Sequence, residues 1–312
     1  MSPRLKALVR RFLKPVALIL VLAGMTAIVV QNWAGISDGI ARLDPAAVGG
    51  ALVAVLVGLF AAMLSWRAVL TGMGSRLPIV AAARVYFLGQ LGKYIPGSLW
   101  PIVAQAELSK EYGVPRTRSG VAALTQMMVS LVVGVVVAGV SLAASSGGAL
   151  LTYWWLIFVV VGGVIALIPR VLNRLILIAS RLVRRPVESV EQITGRAVLE
   201  SAAWCVLMFA MFGAQVYLLA RGIGASGEGL FLLTTGSYAL AWSVGFALVI
   251  LPAGAGAREA VLILVLAPLV ARQDALAIAL IARILMLAGD GLGAGAAVCG
   301  ELLHRRLAKS DR

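Results

Sequence analysis

Lys93 and Arg258 are the residues from which chemistry could start. Each is a cation beside a proline–glycine break in an otherwise apolar run. Lys93 stands in Gly89-Gln90-Leu91-Gly92-Lys93-Tyr94-Ile95-Pro96-Gly97-Ser98, and Arg258 just after Leu251-Pro252-Ala253-Gly254-Ala255-Gly256. Unpaired backbone groups are not tolerated in hydrocarbon, so a non-helical break at membrane depth is buried in protein or lines a wet cavity. A helix that starts past such a break presents free N–H groups and a positive dipole end. Ser98 is placed to cap one such half-helix, running through Gln105, Glu107 and Lys110. Gly254 and Gly256 permit close approach before Arg258 and Glu259 open the other. Two such ends meeting at the midplane, with Lys93 and Arg258 beside them, suit an anionic head group, a phosphate above all. Tyr94, Pro96, Gly97 and Pro252 complete this candidate binding set. The alternative is that the prolines and glycines merely kink helices and Lys93 snorkels to the surface.

Further ionisable residues lie within apolar segments, where they are costly and therefore functional candidates: Arg84, Glu107, Glu259, Arg283 and Asp290. Arg283 and Asp290 are seven apart, two helical turns, and share one helix face. One expectation is that Arg283 faces the site while Asp290 balances Arg258 or accepts a proton for coupling. The other is a structural ion pair joining the last span to the second break. Glu107 is a further candidate for charge balance.

The elements that position these residues follow from composition. Of 312 residues, 61% are hydrophobic and 13% charged, too few charges for a soluble domain of this size. The expected fold is an all-α polytopic membrane protein forming one integral membrane domain over 1–312. Six full spans are expected at 15–31, 46–66, 119–144, 151–169, 197–220 and 275–303, with broken helical hairpins at 78–110 and 230–271. The first run follows five basic residues but lacks a small-x-small cleavage site, so it reads as an uncleaved span. Of the 27 lysines and arginines, 22 fall in four stretches that alternation places on one side, which predicts cytoplasmic termini in the plasma membrane.

On that topology the first hairpin opens to the inside and the second to the outside. The units 46–144 and 197–303 then run in opposite directions, with Pro96 and Pro252 separated by 156 residues. Paired, interrupted segments of this kind point to a transporter's substrate site. Trp33, Trp66, Tyr153, Trp154 and Trp155 are expected as interfacial anchors, and Cys205 and Cys299 as packing residues. The net charge of +14 is gathered between spans without a nucleic-acid module, so no nucleic-acid partner is expected. HExxH, GxxxxGK[ST] and GxSxG are all absent from the sequence, which argues against an enzyme; no cofactor or metal is expected.

The stretch Tyr86–Trp100, followed by Leu251–Ala260 with its P-x-G-x-G-x-R-E pattern, resembles the lysylphosphatidylglycerol synthase transmembrane-region family, also described as flippase-like. The resemblance spans nearly the whole chain. It implies movement of a lipid across the bilayer. In the full synthases a separate soluble domain attaches the amino acid, and none is expected with the present chain. The expected partners are membrane lipids, either an anionic phospholipid or a polyprenyl-phosphate-linked lipid. A second reading is a membrane subunit or scaffold for a separate lipid-modifying enzyme or glycosyltransferase, docked on the basic loop 170–196.

Overall fold

The computed structural model describes residues 30, 33–94, 100–145, 156–174, 193–247, 254 and 256–310. The expected first span and much of the loop 170–196 lie outside these residues. So do Tyr153, Trp154 and Trp155, and, at the two breaks, Pro96, Gly97, Ser98 and Pro252. The described residues are helical, without strands. The helices are α1 (Trp33–Arg42), α2 (Pro45–Gly72), α3 (Ile79–Gln90), α4 (Trp100–Ser109), α5 (Arg116–Ser145), α6 (Leu156–Leu167), α7 (Gly195–Gly222), α8 (Leu230–Ala247), α9 (Ala257–Leu266) and α10 (Arg272–Ser310).

Five of them are long and apolar enough to cross a membrane: α2, α5, α7, α8 and the Arg272–Leu303 part of α10. The chain is therefore a multi-pass membrane protein. Four of the five coincide with expected spans. The fifth, α8, was expected as half of a broken hairpin. At 18 residues it is about 27 Å long, close to the thickness of a hydrocarbon core. By contrast α9, past the break, has 10 residues, or about 15 Å. Within the expected 151–169 span the described helix α6 covers Leu156–Leu167.

Local sequence explains the helix ends. Asp44 accepts from the Ala46 N–H at 3.0 Å, and Pro45 at the first position gives up no needed donor. Thr194 caps α7 by accepting from the Ala197 N–H at 3.4 Å. Both helices stop in the same way. Gly74 (φ +82) donates to Thr71 O at 3.0 Å and Ser75 to Leu70 O at 3.1 Å; Gly224 (φ +99) donates to Arg221 O and Ala225 to Ala220 O, both at 2.9 Å. Only glycine takes that left-handed turn at no steric cost.

Helices α2 and α7 pack antiparallel along their whole length. Gly72 at the end of α2 abuts Ala197 and Thr194, Gly58 abuts Phe212, and Gly222 at the end of α7 abuts Ala47 and Leu43. Ser65 and Ser201 join hydroxyls across the seam at 2.8 Å. Small residues let helix backbones approach closely in a bilayer, where hydrophobicity alone does not hold helices together.

Two further long helices pack around this pair. Helix α5 packs on α8, with Gly134 against Ser243 and Gly236 against Leu142. Helix α10 packs on α3, with Gly293 against Phe87. The innermost side chains include Trp66, Met63, Leu70, Phe209, Leu219 and Ile278. Trp66, expected at the interface, is fully buried beside Tyr86 (ring centroids 6.0 Å apart); its long helix continues past it to Gly72, which puts it inside. Cys205 is buried, whereas Cys299 lies on the exposed face of α10. Leu199 and Leu264 are 73% and 72% exposed, as lipid-facing leucines are.

The tightest crossings predict the costliest alanines. A Cβ on Gly213 would stand 2.5 Å from the Thr235 Cα, which is backbone and cannot swing away. Gly213→Ala is expected to destabilise the protein by about 1–3 kcal/mol. Gly291→Ala, with nothing within 4 Å, leaves thermal stability unchanged. Melting of both variants in one detergent checks the contrast, and equal melting would contradict it.

Candidate functional site

Helix α3 tightens at its end into a 3₁₀ turn, Leu91–Tyr94. The turn lies directly on the start of α4: a Cβ on Gly92 would stand 2.9 Å from the Trp100 carbonyl carbon, and one on Gly89 would meet Gln105. The two hairpin arms therefore close on glycines, and the turn between them carries Lys93 and Tyr94.

Asp290 waits there on α10. Its neighbour Gly289 packs against Val55 and Leu59 of α2, which brings α10 close and aims the carboxylate at the hairpin. Lys93 Nζ lies 2.8 Å from Asp290 Oδ1 and 2.6 Å from Oδ2, while the Tyr94 hydroxyl donates to Oδ2. The Asp290 side chain is only 3% exposed, so both of its oxygens are satisfied within the protein.

The second hairpin supplies the other half. Gly254 (φ +68) and Gly256 (φ +85) hold left-handed conformations just before α9. The Gly256 N–H donates to Glu259 Oε2 at 2.7 Å, so that amide is occupied within the protein. Arg258 threads between two glycines: a Cβ on Gly245 would stand 2.6 Å from its Cγ, and one on Gly254 2.8 Å from its Nε. The guanidinium ends over Trp242, 5.8 Å from the ring centroid, and Trp242 stacks in parallel on Phe246 at 5.3 Å. Arg258 Nε is buried without a hydrogen-bond partner. Arg283 Nη1 lies 3.6 Å from Glu259 Oε1.

Helix α10 thus carries two ion pairs on one face, one to each hairpin. Asp290 pairs with Lys93 of the first hairpin, which corrects the expectation that it balances Arg258: the packing of α10 on α3 brings Lys93 to it. Arg283 joins the last span to the second hairpin through Glu259, the structural pairing anticipated as the alternative. Arg258 and Arg283 lie near enough to act on the charge of Lys93, and Tyr238 of α8 is within Coulombic reach of both arginines, Glu259 and Asp290. Three cations face two carboxylates, so the cluster carries a net charge of +1.

Glu107 does not join this cluster. It is exposed at the far end of α4, paired with Arg116 at 2.5 Å and Lys110 at 3.3 Å. Arg84 is likewise taken up locally, by Glu111 at 2.5 Å and Tyr112 at 3.0 Å. Three contributors escaped the sequence reading: Tyr238, Trp242 and Gly245. Gly245 precedes Arg258 by thirteen residues, across the second break, and only the folding back of α9 on α8 makes them neighbours.

Residues 15–292 match the family described as "Lysylphosphatidylglycerol synthase TM region". No curated protein matches the chain. With most of its length matched, and with both breaks, Arg283 and Asp290 inside the matched stretch, the chain belongs to the family of the lysylphosphatidylglycerol synthase TM region.

Proposed function

We propose that this protein moves a lipid with an anionic, phosphate-containing head group across the cytoplasmic membrane, and that it does so without covalent catalysis. The family points to a membrane lipid-related role. The observation that carries the reading further is the part-buried, net positive cluster of Lys93, Arg258, Arg283, Glu259 and Asp290, drawn from both hairpins and the last helix. Buried charge at membrane depth is expensive, and an excess cation there is stabilised by an arriving anion. The head group engages Arg258 first and then Lys93, while the acyl or prenyl tails stay in lipid.

Alternating access is a rocking of one inverted unit, 46–144, against the other, 197–303. Two features support the inversion: the antiparallel α2–α7 pair with matching glycine stops, and the reciprocal packing of α5 on α8 and of α10 on α3. Six full spans and cytoplasmic termini complete this picture, on the distribution of basic residues. A phosphate held by Arg258 and Lys93 together bridges the two hairpins, which couples head-group binding to movement between the units.

The test is flipping of a fluorescent phosphatidylglycerol in proteoliposomes. Lys93→Ala and Arg258→Ala are each expected to reduce the rate at least about tenfold, the loss of roughly 1.4 kcal/mol of interaction, while insertion persists. Wild-type rates in both variants would remove the site assignment.

A further inference from the structure

Two facts about the cluster bear on which head group it takes. Both of its carboxylates are already engaged through both oxygens: Asp290 by Lys93 and Tyr94, and Glu259 by the Gly256 N–H and Arg283. Arg258, in contrast, has no carboxylate partner among the described residues, and its Nε is buried without an acceptor. A bound phosphate oxygen would supply that acceptor; an ammonium would find no unengaged carboxylate.

Two aromatic faces of the cluster, another means of holding an ammonium, already carry cations. Trp242 already carries Arg258 at 5.8 Å on its ring and stacks on Phe246, and the Tyr94 ring carries Lys93 at 5.4 Å. A cationic head group would enter a cluster of formal net charge +1 whose two carboxylates, Asp290 and Glu259, already face the protein's own cations.

We propose that the site selects a phosphate head group bearing no ammonium, so that the cargo is an unmodified anionic phospholipid and not its aminoacylated, cationic derivative. This rests on the translocation reading and narrows its substrate class. An aminoacyl lipid such as lysylphosphatidylglycerol carries two ammonium groups on one phosphate. Its net charge of about +1 at neutral pH matches that of the cluster, and like charges repel.

The test compares phosphatidylglycerol, lysylphosphatidylglycerol and phosphatidylcholine of identical chains, each titrated onto the purified full-length protein in detergent and followed by native mass spectrometry. Phosphatidylglycerol is expected to bind at least about tenfold more tightly than the other two, the scale of one charge-assisted hydrogen bond. Arg258→Gln should bring it to the level of phosphatidylcholine, and Arg258→Lys, which keeps the charge, should preserve part of the preference. Lysylphosphatidylglycerol binding as tightly as phosphatidylglycerol would overturn the proposal, as would equal binding of phosphatidylglycerol and phosphatidylcholine. The wild-type comparison decides the matter even where a variant fails to fold. Proteoliposome flipping separates this proposal from the one it rests on. Equal transport of all three lipids overturns the charge preference and leaves translocation standing. Selective binding of phosphatidylglycerol without transport of any of the three does the reverse.

Discussion

Asp290→Ala is expected to destabilise the protein by about 3–5 kcal/mol, the usual cost of removing one partner from a buried ion pair. The carboxylate is 3% exposed and the Lys93 side chain 24%, so water replaces little of what is lost. Lys93 Nζ and the Tyr94 hydroxyl both lose their acceptor, and the cluster's net charge rises from +1 to +2. Lys93→Ala is the milder change. It takes the cluster to neutrality and leaves Asp290 with the Tyr94 hydroxyl, near Arg258 and Arg283. Melting in detergent should therefore rank wild type above Lys93→Ala, and Lys93→Ala above Asp290→Ala. The double variant Lys93→Met/Asp290→Leu should recover much of the loss, since apolar groups of similar volume often replace a buried pair without penalty. The reverse order of the single variants would show that the charge balance of the cluster is wrong.

Gly245→Ala should abolish lipid flipping while leaving the protein inserted. The added Cβ would stand 2.6 Å from the Arg258 Cγ, 2.8 Å from its Nε and 3.3 Å from its Cδ. These atoms lie along the shaft of the side chain, so the arginine must leave its place over Trp242 rather than flex at its tip. The expected stability cost is about 1–3 kcal/mol of overpacking. The functional loss should match Arg258→Ala, at least about tenfold in rate. Gly295→Ala on the open face of α10, where nothing lies within 4 Å, is the control and should transport normally. Wild-type transport by Gly245→Ala would mean that Arg258 does not need its glycine cradle.

A sequence reading reaches some of this architecture and misses the rest for identifiable reasons. Four long spans were legible because runs such as 46–66 and 197–220 are apolar throughout, and transfer into lipid depends on composition along the chain. The 18-residue length of α8 was not, because the Pro252 break draws the eye to two equal half-helices while the helix simply runs to Ala247. Trp66 reads as an interfacial anchor by position, yet α2 continues to Gly72 and buries it. The glycine stops at Gly74 and Gly224 were present in the sequence, in Gly72-Met73-Gly74 and Gly222-Ile223-Gly224, a matching signal between the two halves.

The sequence by itself determined that the chain lives in a membrane and is broken twice. It also singled out the ionisable residues of apolar segments: Arg84, Lys93, Glu107, Arg258, Glu259, Arg283 and Asp290. Those conclusions rest on local quantities: hydropathy, helix-breaking residues, and the cost of a charge in an apolar run. Only the tertiary structure decided the pairings. Whether Asp290 meets Lys93 or Arg258 depends on which hairpin α10 lies against, and glycines at 289 and 293 set that contact through their approach to Val55, Leu59 and Phe87. The spare cation followed from the same packing. Once α10 has given Asp290 to one hairpin and Arg283 to the other, Arg258 is left between Gly245 and Gly254 with its Nε unpartnered and no carboxylate paired with it among the described residues.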